Sequence, residues 1–213
     1  MELDTKKTIY LIRHGQTDYN LKGIIQGAGV NSELNNTGQE QAKLFYKHYN
    51  HIEFDNIYTS ELTRTQQTVH PFLQKGFSSE SLSELNEINW GLFEGLESTP
   101  ERHGVYQRIL KSWKNGDFTD VIENGESPLD MYSRQEKGLK LLMSKTNEEQ
   151  ILVCSHGRAM RSLLCLMTNT NLSKMDNFSH SNVCLYVLEH IGNMKFEIRV
   201  RNSIEHLEAL IQD

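Results

Sequence analysis

The sequence predicts an α/β fold: a three-layer α/β/α sandwich with a mostly parallel central sheet and a small cap insertion. Three observations lead there. Two short apolar runs, Ile9-Tyr10-Leu11-Ile12 and Ile151-Leu152-Val153-Cys154, read as strands buried on both faces. Stretches with helical apolar spacing alternate with strand-like ones along the chain. Both apolar runs also end alike, in Arg13-His14-Gly15 and in Ser155-His156-Gly157. Ligands of open α/β sheets bind beyond the carboxyl ends of the parallel strands. Two such strands, each ending in His-Gly, can set two imidazoles side by side at that edge.

The elements follow in order. Residues 8–12 form the first strand. Asn36-Thr37-Gly38-Gln39-Glu40 opens a helix, with Thr37 and Glu40 fitting a capping box and Ala42, Phe45, Tyr46 and Tyr49 on its apolar face. Residues 56–59 are the second strand. Ser60 is expected to cap a helix running to about Phe72, with Arg64 in its first turns. Residues 82–88 suggest a third strand. Ser127, Pro128 and Asp130 start another helix as N-cap, N1 residue and capping-box partner. Its buried stripe is expected to use Leu129, Tyr132, Leu139, Leu142 and Met143. Residues 150–154 form a strand and 159–167 a helix with Met160, Leu163, Leu164 and Met167 inward. Residues 183–188 and 196–200 suggest a closing hairpin around Gly192-Asn193. The stretch 90–125 has weak periodicity and reads as an insertion, either a lid over the sheet's carboxyl edge or a solvated loop with one helix. The chain, residues 1–213, is expected to form one domain.

Composition excludes several classes. The chain has 213 residues, 37% of them hydrophobic, and a net charge of −6. Mean hydropathy is −0.56 and the pI is near 5.9. That balance argues against nucleic acid or an anionic membrane as partner, while leaving room for a local basic pocket. No segment approaches the roughly 20 apolar residues of a membrane span. The first residues lack the apolar core of a signal peptide. Cys154, Cys165 and Cys184 form no CxxC, so reduced thiols and a cytoplasmic location are expected. The other histidines show no metal-ligand spacing, and Lys22, Arg102, His103 and Arg158 read as surface residues.

Two histidines with arginine alongside suit a doubly negative phosphate. Cleaving a phosphate ester needs a nucleophile, neutralisation of the phosphoryl oxygens, and an acid for the leaving alkoxide. A neutral imidazole can attack phosphorus, because histidine titrates near about 6.5. Gly157, opening a helix, adds a dipole that favours negative charge.

The motifs amount to a resemblance. Leu11-Ile12-Arg13-His14-Gly15-Gln16-Thr17 through Asn20, then Gln26-Gly27 and Leu34 through Ala42, resemble the opening segments of the histidine phosphatase superfamily, the phosphoglycerate mutase-like fold. Ser60-Glu61-Leu62-Thr63-Arg64, Glu87 through Gly95, Gly125-Glu126-Ser127 with Arg134, and Ser155-His156-Gly157 with Arg161 are similar to its later segments, in family order. The resemblance implies a phosphomonoester hydrolase acting through a phosphohistidine intermediate on a small phosphorylated metabolite. His14 would be the nucleophile. Arg13, Arg64, His156, Asn20 and the Gly157 N–H would hold the phosphoryl oxygens, with Thr17 and Gln26 lining the same pocket. Glu87 would be the acid, with Glu84 and Glu94 as rival neighbours. No metal and no cofactor are implied, the two arginines and His156 supplying the positive field. A homodimer is compatible with the sequence and not required by it.

Arg158 stands where many relatives carry glycine, and is expected either to add charge to the pocket or to point outward; Glu33 replaces a frequent proline, and Asn31 a frequent aspartate. The mutases' E-R-x-Y-G pattern is absent at Glu87, and Glu101-Arg102-His103-Gly104 lies out of register, so the phosphatase branch is favoured. A cofactor-dependent phosphoglycerate mutase and a catalytically silent phosphate-binding module are the alternatives.

Overall fold

A computed structural model describes residues 6–211. Six strands form one sheet in the order β3-β2-β4-β1-β5-β6. They are β1 (Thr8–Arg13), β2 (Asn56–Thr59), β3 (Ser79–Ser81), β4 (Gln150–Ser155), β5 (Leu185–His190) and β6 (Phe196–Ser203). β1 to β4 run parallel, and β5 is antiparallel to both β1 and β6. The hairpin joining β5 to β6 turns through Gly192, Asn193 and Met194, all at positive φ.

The period-two alternation of the strands builds two cores. Ile9, Leu11, Ile151 and Val153 point to one face, where α5 (Pro128–Ser144) and α6 (Gly157–Met167) cover them with Leu139, Leu142, Met160 and Leu163. Ile12, Ile57, Leu152 and Cys154 point to the other. There α2 (Asn36–Tyr49) and α3 (Thr63–Leu73) supply Phe45, Tyr49, Val69 and Phe72. The result is the expected three-layer sandwich. A third cluster joins α4 (Pro100–Lys114) to the layer of α5 and α6 through Trp90, Ile109, Trp113, Ile122, Met131 and Ala159.

The start of α5 is as expected. Ser127 Oγ accepts from the Asp130 N–H and Asp130 Oδ2 from the Ser127 N–H, with Pro128 at the first helical position. Such a cap contributes about 1 kcal/mol. Its buried stripe shifts, however. Leu129 is exposed, and Met131 and Gln135 are buried in its place because α4 and α6 approach that side.

Other expectations are corrected. The N-cap of α2 is Asn35, whose side chain accepts from the Gly38 N–H, and not Thr37. α3 starts at Thr63 without a side-chain cap, because its N-cap position falls on Leu62, which has no acceptor, and not on Ser60. The third strand is Ser79–Ser81; residues 82–88 are a 3₁₀ turn and a loop. Leu82, Leu85 and Ile88 are buried at a spacing of three, which a 3₁₀ turn satisfies and a strand does not.

Candidate active site

Parallel register brings the two imidazoles together. Arg13 pairs with Ser155 across β1 and β4, and the His14 N–H donates to the Ser155 carbonyl at 3.0 Å. The next residue on each strand is a histidine, so both rings emerge at one edge. The centroids of His14 and His156 lie 5.2 Å apart, with planes tilted by 55°. Gly15 lets the chain leave this edge close against Gly38 of α2, and its N–H donates to Thr68 Oγ1 of α3 at 2.9 Å.

The His14 tautomer follows from one contact. Nδ1 lies 2.7 Å from the Gly15 carbonyl oxygen. A carbonyl only accepts, so Nδ1 carries the proton and the free lone pair is on Nε2. Burial pushes the His14 pKa well below its ordinary value, helped by the guanidiniums of Arg64 and Arg13. The ring is therefore neutral at pH 7, the form a nucleophile requires.

His156 is fixed the same way. Arg64 Nε donates to its Nδ1 at 3.1 Å, which leaves the proton on Nε2, 2.8 Å from Ser60 Oγ. Ser60 thus links a chain from Arg64 through His156 to Thr65 Oγ1, and its Oγ also accepts from the Leu62 N–H at 3.1 Å, just ahead of α3. Burial, then Arg64, then His14 hold the His156 pKa well below the usual range. Arg64 is fully buried and also donates to the carbonyls of Val30 and Gly27 at 2.7 and 3.3 Å.

Glu87 is placed by the helix that His156 introduces. Its carboxylate accepts from the N–H groups of Arg158 at 3.0 Å, Ala159 at 2.8 Å and its own neighbour Ile88 at 2.9 Å. The N-terminus of α6 therefore holds a carboxylate as well as presenting Gly157. Arg134, from the Gly-Glu-Ser helix, donates to the Glu87 carbonyl at 3.1 Å and pairs with Glu126 at 2.7 Å. Of the rival carboxyls, Glu94 accepts from the Trp90 N–H at 2.7 Å against the Gly27–Gly29 turn. Glu84 packs on Gly138. Neither reaches the cavity.

That cavity, about 410 Å³, opens at the sheet edge. Arg13, His14, Asn20, Gln26, Glu87 and Gly157 line its inner end. Ile24, Ile25, Trp90, Phe93, Leu96 and Leu110 give it an apolar wall, while Arg102, Arg158 and Arg161 give it a cationic one. Arg64, His156 and Thr17 are fully buried and stand behind this lining rather than in it. Thr17 caps the short helix α1 (Asp18–Leu21) and accepts from Gln26 Nε2 at 2.8 Å, while Asn20 Oδ1 accepts from the Thr17 N–H at 3.2 Å.

Two residues, Asn182 and His180, escape the sequence reading, and Arg158 takes the pocket alternative of its two. Arg158 is no surface residue. It is 6% exposed, with Nη1 on Asp176 at 2.6 Å and its guanidinium 5.8 Å from the Trp113 ring centre. Asn182 Nδ2 donates to the His14 carbonyl at 3.0 Å and to Asn20 Oδ1 at 3.2 Å. His180 Nδ1 sits 3.2 Å from Arg13 Nη1. No local pattern marks these positions; the only available signal was the departure from glycine at Arg158.

Known proteins resemble this chain over nearly its whole length. A phosphoserine phosphatase from Hydrogenobacter thermophilus is 26% identical over 202 residues, 93% of this chain and 93% of that protein. A 2,3-bisphosphoglycerate-dependent phosphoglycerate mutase from Bartonella tribocorum is 29% identical over 180 residues, covering 78% of this chain and 83% of its own. Among solved structures, an alpha-ribazole phosphatase from Shigella flexneri superposes with a TM-score of 0.80 at 25% identity, over 92% of this chain and 96% of that one. A phosphoserine phosphatase from Entamoeba histolytica, in complex with 3-phosphoglyceric acid, gives 0.78 at 26%, over 94% and 99%. The family model of the histidine phosphatase superfamily, branch 1, matches residues 9–203, and the chain belongs to that superfamily.

Proposed function

We propose that this protein hydrolyses phosphomonoesters of small metabolites through a phosphohistidine on His14. The observation that carries this reading is the His14 tautomer: Nδ1–H is spent on the Gly15 carbonyl, and the ring lines the cavity with Nε2 unprotonated. Nε2 attacks phosphorus in line as the P–O bond to the leaving group breaks, and the departing alkoxide takes the Glu87 proton. Water then attacks the phosphohistidine, Glu87 recovers a proton from it, and inorganic phosphate leaves.

Arg13 and the Gly157 N–H hold phosphoryl oxygens at the cavity's inner end, with Asn20 and Gln26 beside them. Arg64 and His156 act from behind His14. Both ring nitrogens of His156 are engaged, so a direct contact to phosphate exchanges its Ser60 bond for one to the anion. Thr17 acts through Gln26 and Asn20. We read residues 90–125 as a cap over a single domain, because this stretch supplies Trp90, Phe93, Leu96 and Leu110 of the cavity's apolar wall and so helps set which leaving groups fit. The three buried, free cysteines are in keeping with the reducing cytoplasm, where we place the protein.

The test is turnover of 4-nitrophenyl phosphate, read as phosphate released. His14→Ala is expected to lose turnover and the acid-labile phosphoenzyme together. Glu87→Gln is expected to slow alkyl phosphates far more than 4-nitrophenyl phosphate, whose leaving group needs no proton. Chelator is expected to leave the rate unchanged. Isomerisation of 3-phosphoglycerate dependent on 2,3-bisphosphoglycerate, without phosphate release, overturns hydrolysis in favour of a mutase. No turnover of any ester identifies a binding module.

A further inference from the structure

We propose that His180 is a third imidazole of the phosphoryl site, holding Arg13 through Nδ1 and donating Nε2–H to the transferred phosphoryl group. This rests on the reading of the cavity as a phosphatase site and adds a residue to it. The argument begins with hydrogen-bond polarity. Arg13 Nη1 lies 3.2 Å from His180 Nδ1, and a guanidinium only donates. Nδ1 is then the acceptor, and the neutral ring carries its proton on Nε2. Burial, with the guanidiniums of Arg13, Arg161 and Arg158 around it, holds the His180 pKa down at about 3, so this tautomer persists through the neutral range.

Arg13 supplies the second observation. With Nη1 taken by His180, its Nε is buried and has no hydrogen-bond partner among the described residues. A buried donor left in that state is destabilising, and an anion at this point relieves it. The third observation is convergence. A methyl group at Gly157 would lie 3.2 Å from His180 Nε2 and 3.6 Å from Arg13 Nε. Both donors therefore border the small space over the Gly157 backbone, and all three residues line the cavity with His14. Only glycine keeps that space open.

The loop that carries His180 is tied on three sides. Arg161 Nε donates to the Phe178 carbonyl at 2.9 Å and the Tyr186 hydroxyl to the Ser179 carbonyl at 2.5 Å. Asn182 bonds the His14 carbonyl at 3.0 Å. The imidazole is thus referenced to α6, β5 and β1 at once, the three elements that frame the nucleophile.

Orthovanadate, a mimic of five-coordinate phosphorus, reports this pocket without turnover. Asparagine keeps an acceptor near the Nδ1 position and lacks the Nε2 donor; leucine lacks both. His180→Leu is expected to weaken vanadate inhibition and lower kcat/KM for 4-nitrophenyl phosphate by roughly 30- to 100-fold, the scale of one lost hydrogen bond to a charged group plus a loosened Arg13. His180→Asn is expected to lose about tenfold, the lost donor alone. Both variants are expected to melt within a few degrees of the parent. Wild-type vanadate affinity in the asparagine variant excludes the phosphoryl contact, and this variant decides that point even if leucine unfolds the loop. An asparagine variant no better than a folded leucine variant excludes the hold on Arg13. Failure of the phosphatase reading looks different: the unmutated protein then forms no phosphohistidine at all.

Discussion

Four histidines are held neutral inside this fold, and acid should therefore unfold it well above the carboxylate range. His14 and His156 are buried against guanidiniums, and burial pushes both well below their ordinary pKa. His180 is held at about 3 and His206, packed against the rings of Phe45 and Tyr49, at about 4, burial being the main cause in each. In the unfolded chain all four titrate near about 6.5. The folded value is the lower one, so below pH 6.5 the unfolded state binds more protons and stability falls. The contribution is complete above about 6.5 and is lost as pH drops toward the folded values.

Between pH 7.5 and 5.5 each histidine loses about 1.3 kcal/mol by this linkage, and four lose about 5 kcal/mol. That is comparable to the whole stability of an ordinary domain, about 5–15 kcal/mol. Glu94, whose carboxyl is raised by burial, works in the opposite sense at the acid end and offsets part of the loss. Urea unfolding at the two pH values, followed by the fluorescence of the buried Trp90 and Trp113, measures the difference directly. His206→Phe, which keeps a ring against Phe45 and Tyr49, should remove about a quarter of it. Equal stability at both pH values refutes the reasoning, because it means the rings are charged or exchange freely with solvent in the folded state.

Other outcomes follow from single contacts. Arg64→Met leaves His156 Nδ1 and the carbonyls of Val30 and Gly27 without their donor. The loss should be about 1–3 kcal/mol in thermal or urea unfolding, the cost of buried acceptors left unpaired, together with loss of turnover. Gly38→Ala drives a methyl group into the backbone carbonyl of Gln16, which cannot move without shifting the segment after His14. It should cost about 1–3 kcal/mol and lower kcat. Arg158→Gly removes the Asp176 contact and the stack on Trp113 but keeps the backbone N–H on Glu87. It should raise KM several-fold with kcat nearly unchanged; an equal loss in kcat would show that the side chain sets the position of the acid.

The parts legible in the sequence are those whose signal is local. β1 and β4 are uninterrupted apolar runs, and α5 carries its cap within four residues, from Ser127 to Asp130. The geometry at the edge was legible too, because in-register strands ending in His-Gly leave the rings one place to go. What failed to show is non-local. Ser60 looks like a cap from its neighbours, but its partner is 96 residues away in His156. His180 reaches Arg13 across 167 positions and Asn182 reaches His14 across 168. Residues 82–88 have strand-like composition, yet Ser155 Oγ bonds the Leu85 carbonyl at 3.0 Å and pulls the segment across the strand ends, so that Glu87 reaches α6. Arg158 appeared to be surface from its charge alone; Asp176 and Trp113 make its burial affordable.

The pairing of Arg13 with Ser155 has a wider consequence. The His14 and His156 rings inherit their separation from two neighbouring backbones, and a slip of one residue would send one ring to the opposite side of the sheet. Nothing in residues 90–125 enters that ladder. The part of the cavity wall that comes from this stretch, Trp90, Phe93, Leu96 and Leu110, can therefore be reshaped without touching the pairing that sets the two rings.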